Sequence, residues 1–197
     1  MQAIKKLFVV SDVHGYIAQL KTALEAAGFD KNNPTHVFVC CGDLFDKDNL
    51  NDALCDFVKE VEQKILILGD REEALSETPG LSDSHKALLK SMKNYYETER
   101  YLFVHGWIPS ETDFRIADAE AWRRARTVGW HEYYGENTVL PKKTIVCGHI
   151  PTRAAYAFAP DWDLSDSGIY YGDGVIAVNG GVESCGKINV LILKENK

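Results

Sequence analysis

The sequence has no long hydrophobic run. Its apolar stretches, such as LFVV and ILIL, are short, far below the ~20 residues that a membrane-spanning helix needs. The opening MQAIKKLFVVSD has two lysines but only that short apolar core, so it reads as neither signal peptide nor anchor. Cysteine is sparse and odd in number: five residues, Cys40 and Cys41 adjacent, with no CxxC pair that would suggest zinc. Three of the five sit in or beside apolar strand-like runs and read as reduced thiols of a cytoplasmic protein. Positive charge is in deficit, with 22 Lys and Arg against 29 Asp and Glu for a net charge of −7. Such a surface repels phosphate backbones and anionic bilayers, which argues against general nucleic-acid binding and against a membrane. The chain shows no repeat, no low-complexity segment and no linker.

What is present fits one globular α/β domain over 1–197. Hydrophobic residues make up 45% and charged residues 26% of 197, enough to build a core without disulfides or a structural metal. Short β-branched runs at Lys5–Val10, Val37–Cys41, Lys64–Leu68, Tyr101–Val104 and Thr144–Cys147 read as buried strands. Helical spacing of apolar residues predicts helices over Tyr16–Ala27 (stopped by Gly28), Asn49–Glu62, Ser82–Tyr95 and Asp118–Val128. After residue 150 the pattern changes: strand-like Gly174–Asn179 and Ile188–Leu193 follow each other with no helix expected between them.

The chemistry sits at the strand ends. The first run leads into Asp12-Val13-His14-Gly15, the second into Gly42-Asp43-Leu44-Phe45-Asp46, and the third into Gly69-Asp70-Arg71-Glu72. The fourth leads into His105-Gly106 and the fifth into Gly148-His149. Ligands of open α/β sheets bind at the carboxyl ends of strands, so five consecutive strand ends each offer an Asp or His to one region. The adjoining glycines allow sharp turns and close approach of a ligand. Three carboxylates with three imidazoles suit borderline divalent ions such as Mn, Fe, Co, Ni or Zn. The set is too rich in nitrogen for calcium or a typical magnesium site.

These motifs resemble the calcineurin-like metallophosphoesterases, closest to their bacterial Ser/Thr-protein-phosphatase-like branch. The resemblance runs from Asp12 to the final strand and rests on Asp-x-His-Gly, Gly-Asp-x-x-Asp, the 69–72 segment, Val-His-Gly and Gly-His. It implies a four-layer α/β/β/α sandwich of two mixed sheets, with metals at the strand ends. It further implies two divalent transition-metal ions, Mn or an Fe/Zn pair: Asp12 and His14 on the first, Asp43 bridging both, and Asp70, His105 and His149 completing the second. The implied activity is hydrolysis of phosphate esters by a hydroxide between the metals, with a phosphoprotein or a nucleotide as substrate. Dinucleoside-polyphosphate hydrolysis is an alternative, and so is a non-catalytic, phosphate-binding scaffold.

Two departures from the family pattern matter. After Gly-Asp-x-x-Asp the family usually has arginine, where this chain has Lys47, a charge without a bidentate fork. At 69–72 the family has an Asn ligand and then a His acid paired with the second Asp of the preceding motif, here Asp46; this chain has Asp70 and Arg71. Asp can ligate, but a guanidinium does not release a proton near neutral pH. Arg71 is therefore expected to pair with a carboxylate such as Asp46 or Asp70, or to reach the substrate phosphate, and leaving groups of low pKa should react best.

Other features carry plainer readings. Arg123, Arg124 and Arg126 lie on one helix and are expected on a solvated face, although one could reach the phosphate. Arg153, four residues after His149, is a candidate phosphate ligand. Tyr133 and Tyr134 follow Trp130 in an expected loop, as packing rather than a base-stacking platform. The acidic stretch Asp161–Asp166 lacks the glycine a calcium loop requires and reads as a flexible loop. Asn179-Gly180-Gly181 reads as a turn.

Overall fold

A computed structural model describes residues 4–46, 52–109, 113–133, 142–157 and 167–195. The first sheet holds β1 (Lys5–Val10), β2 (His36–Cys40), β3 (Lys64–Leu66) and β9 (Leu191–Glu195) in the order β3-β2-β1-β9. Strands β1, β2 and β3 run parallel, and β9 is antiparallel to β1. The second sheet has the order β4-β5-β6-β8-β7: β4 (Tyr96–Glu97), β5 (Tyr101–Phe103), β6 (Thr144–Cys147), β8 (Val175–Ala177) and β7 (Tyr170–Gly172). Its central strands β5, β6 and β8 are parallel and both edge strands antiparallel.

Alternation along the strands builds the layers. Leu7 and Val9 of β1, Val37 and Val39 of β2, Phe103, Val146, Ile176 and the β9 leucines Leu191 and Leu193 form one core between the sheets. Their neighbours Phe8, Val10, Phe38 and Cys40 face the other way, onto α1 (Ile17–Ala26), α2 (Asp52–Glu60), α3 (Asp70–Ser76) and α4 (Asp83–Ser91). On the far side Leu102, Ile145, Cys147 and Val175 meet Trp122 of α5 (Ala119–Arg126) and Trp130 of α6 (Trp130–Tyr133). The result is the expected four-layer sandwich of two mixed sheets. Among the described residues no helix is long and apolar enough to cross a membrane.

Several boundaries differ from the sequence expectation. The helix expected over Ser82–Tyr95 is capped by Ser82 but stops at Ser91, because Met92 turns extended and Lys93 bridges to Ile67. The chain then enters β4 beside β5, so sheet pairing overrides helical spacing. Asp118 caps α5 through Ala121 N, and α5 ends at Arg126. The segment Trp130–Tyr133, expected as loop, is a helical turn with Trp130 stacked on Tyr170. Between β8 and β9 the chain makes α7 (Val182–Cys185), one helical turn flanked by left-handed Gly181 and Gly186, where no helix was expected. The 69–72 segment, read only as a motif, opens α3.

The inter-sheet core can be tested by substitution. Phe103→Ala should destabilise the protein by about 3–5 kcal/mol. Ile192→Ala, on the outer side of β9 and 45% exposed, should change stability by less than about 0.5 kcal/mol. Urea unfolding of both variants checks the assignment of faces.

Candidate metal centre

The parallel ladder between β1 and β2 continues beyond the strands. Cys41 N donates to Val10 O (2.8 Å), Asp12 N to Gly42 O (3.0 Å), His14 N to Asp43 O (2.9 Å) and Gly15 N to Leu44 O (3.0 Å). To make these bonds while turning side chains inward, Asp12, His14 and Asp43 adopt left-handed backbone, with φ of 52°, 47° and 50°. His149, after β6, does the same at 62°. Asp and His are among the few L-residues that tolerate this region.

The two sheets meet at this edge. His105 Nδ1, after β5, is 2.8 Å from Cys41 O on the other sheet. A carbonyl only accepts, so Nδ1 carries the proton and Nε2 is turned to the carboxylates. Nε2 stands 3.0 Å from Asp70 Oδ1 and 3.5 Å from Asp43 Oδ1. Gly148 N donates to His105 O (2.8 Å), and His149 N donates to Asp12 Oδ2 (2.9 Å). Ser11 Oγ also donates to Asp12 Oδ2.

Two sets of ligand atoms lie within 4.8 Å of one another: Asp12, Asp43 and His105, and Asp70, His105 and His149. His14 stands beside the first, its Nε2 3.8 Å from Asp12 Oδ1 and 3.6 Å from Glu183 Oε2. The six strand-end residues therefore converge, and the residue common to both sets is His105 rather than Asp43.

The electrostatics are those of crowded negative charge. Asp12 and Asp43 are each only 2% exposed. Burial pushes the Asp43 carboxyl up against the pull of His105, and the charges of Asp12, Glu72 and Asp70 push it further. Burial would also raise Asp70, but hydrogen bonds with His105 and His149 outweigh it and hold it below the usual carboxylate range. Burial would lower His105, yet Asp43, Asp70 and Asp12 together hold its imidazole above the ordinary value. A carboxylate cluster that raises one of its own members is relieved by a cation, and imidazole with carboxylate donors fits a divalent transition ion.

Arg71 stands beside a carboxylate, though not one of the two named above, and faces the cleft. Among the described ion pairs the carboxylate it meets is Asp43, with Nε 3.8 Å from Oδ2, and not Asp46 or Asp70. Its amide also donates to Asp43 Oδ1 (3.0 Å). Arg71 and the exposed Arg153 both line the cleft above the cluster, together with Asn179 and Glu183. Asp46 is half-buried and outside that lining. Lys47, Tyr134 and Asp161–Asp166 lie outside the described residues, as does the side chain of Tyr133. The three helix arginines do not line the cleft. Arg123 and Arg124 pair with Glu120 in solvent, whereas Arg126, expected on a solvated face, is buried and bonded to Glu73 (2.7 Å) and Asn94 (2.9 Å).

Two residues escaped the sequence reading. Asn179, after β8, is a connector as well as a turn residue: Nδ2 donates to His149 O (3.0 Å), and Oδ1 accepts from Gly181 N (2.8 Å). Glu72 is fully buried and accepts from the amides of Asp43, Phe45 and Gly69, each at 2.9 Å. Gly42 makes the expected sharp turn in a left-handed conformation (φ 84°), and Gly69 and Gly148 also clear space for other site residues. A Cβ at Gly69 would overlap Asp43, and one at Gly148 would overlap Ser11 Oγ and Asp12 Oδ2.

A family model described as calcineurin-like phosphoesterase matches residues 5–183. No curated protein matches the sequence. A solved structure assigned as a diadenosine tetraphosphatase is similar with a TM-score of 0.64 at 15% identity, over 95% of this chain and 93% of the other. A cold-active protein-tyrosine phosphatase from a psychrophilic Shewanella gives 0.64 at 19%, over 97% and 76%. A protein serine/threonine phosphatase from Saccharomyces cerevisiae gives 0.58 at 15%, over 98% and 80%. At these identities the likeness is one of fold.

Gly148→Ala tests the close packing at Asp12. The variant should lose about 2 kcal/mol of stability through overpacking. Urea unfolding checks that loss.

Proposed function

Because the chain belongs to the calcineurin-like phosphoesterases, we propose that this phosphoesterase hydrolyses phosphate esters or anhydrides at the strand-end cluster with two divalent ions. The observation that carries the reading is the pair of overlapping ligand sets, three carboxylates and two imidazoles at the meeting edge of two sheets. Asp12 and His14 would hold one ion and Asp70, His105 and His149 the other, with the two-oxygen carboxylate of Asp43 available to both; His105, its Nδ1 proton given to Cys41 O, has only Nε2 to offer and so serves one ion. When bound, such ions supply an activated water and neutralise phosphoryl charge. Mn²⁺ or an Fe/Zn pair suits the donors. A reducing, cytoplasmic setting suits the four buried free thiols.

The chain's own residues bind and orient the substrate. Arg71 and Arg153 face the cleft as guanidiniums able to hold equatorial phosphoryl oxygens as charge spreads over them. Neither transfers a proton. At the position beside Asp43 this chain thus offers fixed charge rather than an acid, which favours leaving groups that depart as stable anions. Nucleotide anhydrides and aryl phosphates then rank above phosphoserine. The similar structure assigned as a diadenosine tetraphosphatase is in keeping with that order, and the serine/threonine phosphatase keeps the phosphoprotein alternative in the panel.

The purified Mn²⁺-loaded protein should turn over an aryl phosphate and a dinucleoside tetraphosphate faster than a phosphoserine peptide. Asp43→Asn should reduce turnover by at least about a hundredfold. Failure on all three substrates with metal bound would point instead to a phosphate-binding scaffold. In a second experiment Arg71→Ala should lower aryl-phosphate turnover by about 10²-fold. Turnover unchanged in Arg71→Ala, or alkyl phosphates cleaved as fast as aryl ones, would remove Arg71 from the mechanism.

A further inference from the structure

On the β1 side, the loops that carry ligands are tied by main chain to main chain: Asp12, His14 and Gly15 amides reach carbonyls of residues 42–44. On the β3 side the ladder is short. Strand β2 pairs with β3 only through Phe38–Cys40 against Lys64–Leu66; Phe38 N donates to Gln63 O at the far end, and on the side of the cluster one further bond joins Ile67 N to Cys40 O. That ladder ends before either Asp43 or Asp70 is reached.

Beyond it, the Arg71 amide reaches Asp43 Oδ1 (3.0 Å), and a second side chain makes three more bonds. Glu72 Oε2 accepts from Asp43 N and Gly69 N, and Oε1 accepts from Phe45 N, all at 2.9 Å. The carboxylate therefore spans both loops, with two donors from the Asp43 loop and one from the residue preceding Asp70. It is fully buried and does not line the cleft. Ionised acceptors on backbone amides make short, directional bonds, and a dry interior holds such a group only where its oxygens are satisfied. The arrangement is also packed shut, since a Cβ on Gly69 would come within 2.8 Å of Glu72 Oε2.

We propose that Glu72 is the positioning residue of the centre: its carboxylate fixes the separation and orientation of the Asp43 loop relative to the Asp70 loop, and hence the relation between the two ions. This rests on the reading that those loops hold two ions. Glu72 itself touches neither ion nor substrate.

The test uses the full chain with Mn²⁺ alone. Wild type should bind two Mn²⁺ by titration calorimetry and give an exchange-coupled spectrum in electron paramagnetic resonance. In Glu72→Gln the amide presents its NH₂ to a backbone N–H, so at least one of the three bonds is lost. The folded variant should bind at least one Mn²⁺ about 10–100-fold more weakly and show a changed or absent coupling pattern. A lower melting temperature with wild-type affinities and coupling would overturn the proposal, because a merely stabilising residue does that. Should Glu72→Gln not fold, Glu72→Asp keeps the charge one methylene short and should show the same loss of coupling; wild-type coupling in it overturns the proposal. Should neither variant fold, hydrogen exchange in wild type decides: amides of Asp43, Phe45 and Gly69 exchanging only on global unfolding support the brace, and fast exchange overturns it. A wild type that binds no coupled pair sinks the two-ion reading and this inference with it, and it does so before any variant is made.

Discussion

Like charges are crowded into a dry space at the edge where the two sheets meet. Asp12, Asp43 and Glu72 are buried, with Asp70 beside them, and carboxylates so placed repel one another. Nothing in their mutual interaction would assemble them. Backbone hydrogen bonding does it instead, by extending the β1–β2 ladder through residues that have already turned left-handed. Such conformations persist where the surrounding structure over-determines them, and they gather at functional sites.

The second sheet contributes imidazoles to a mostly carboxylate first sheet, so the site exists only while the sheets are in register. His105 crosses to Cys41 O, and the amide of His149 crosses to Asp12. Behind these contacts lies the core of Leu7, Val39, Phe103 and Val146. Apolar packing of this kind has no direction of its own, but it is dense and resists sliding. The polar crossings then set the final alignment. Structure and chemistry are thus linked through ordinary side chains that touch no ligand.

The strands and the positions of Asp12, His14, Asp43, Asp70, His105 and His149 at their ends were legible because β-branched runs and the residues that stop them are local patterns. The sheets' order and the place of His105 in both candidate ligand sets were not, since both depend on contacts far apart in sequence. Glu72 stood in the 69–72 motif, but its bonding role was hidden for a physical reason. Its partners are main-chain amides, which every residue but proline owns, so no residue type at any spacing announces them. Within the polar run Asp70–Glu73 there is also no apolar periodicity to mark α3. Arg126 was misjudged because three neighbouring arginines look alike on a helix, and only the tertiary placement of Glu73 and Asn94 draws one of them inside.

The left-handed backbone at Asp12, His14, Asp43 and His149 has a consequence for how the centre is dissected. Alanine at such a φ adds a conformational penalty of roughly 1–2 kcal/mol, so an alanine scan there would mix lost chemistry with lost geometry. Asparagine tolerates the same region and keeps a side-chain oxygen while giving up the charge. At these four positions the informative alphabet is accordingly narrow. It also bounds neutral drift: a sequence that abandoned ligand chemistry here would still be steered towards glycine, asparagine, aspartate or histidine by the shape of the chain alone.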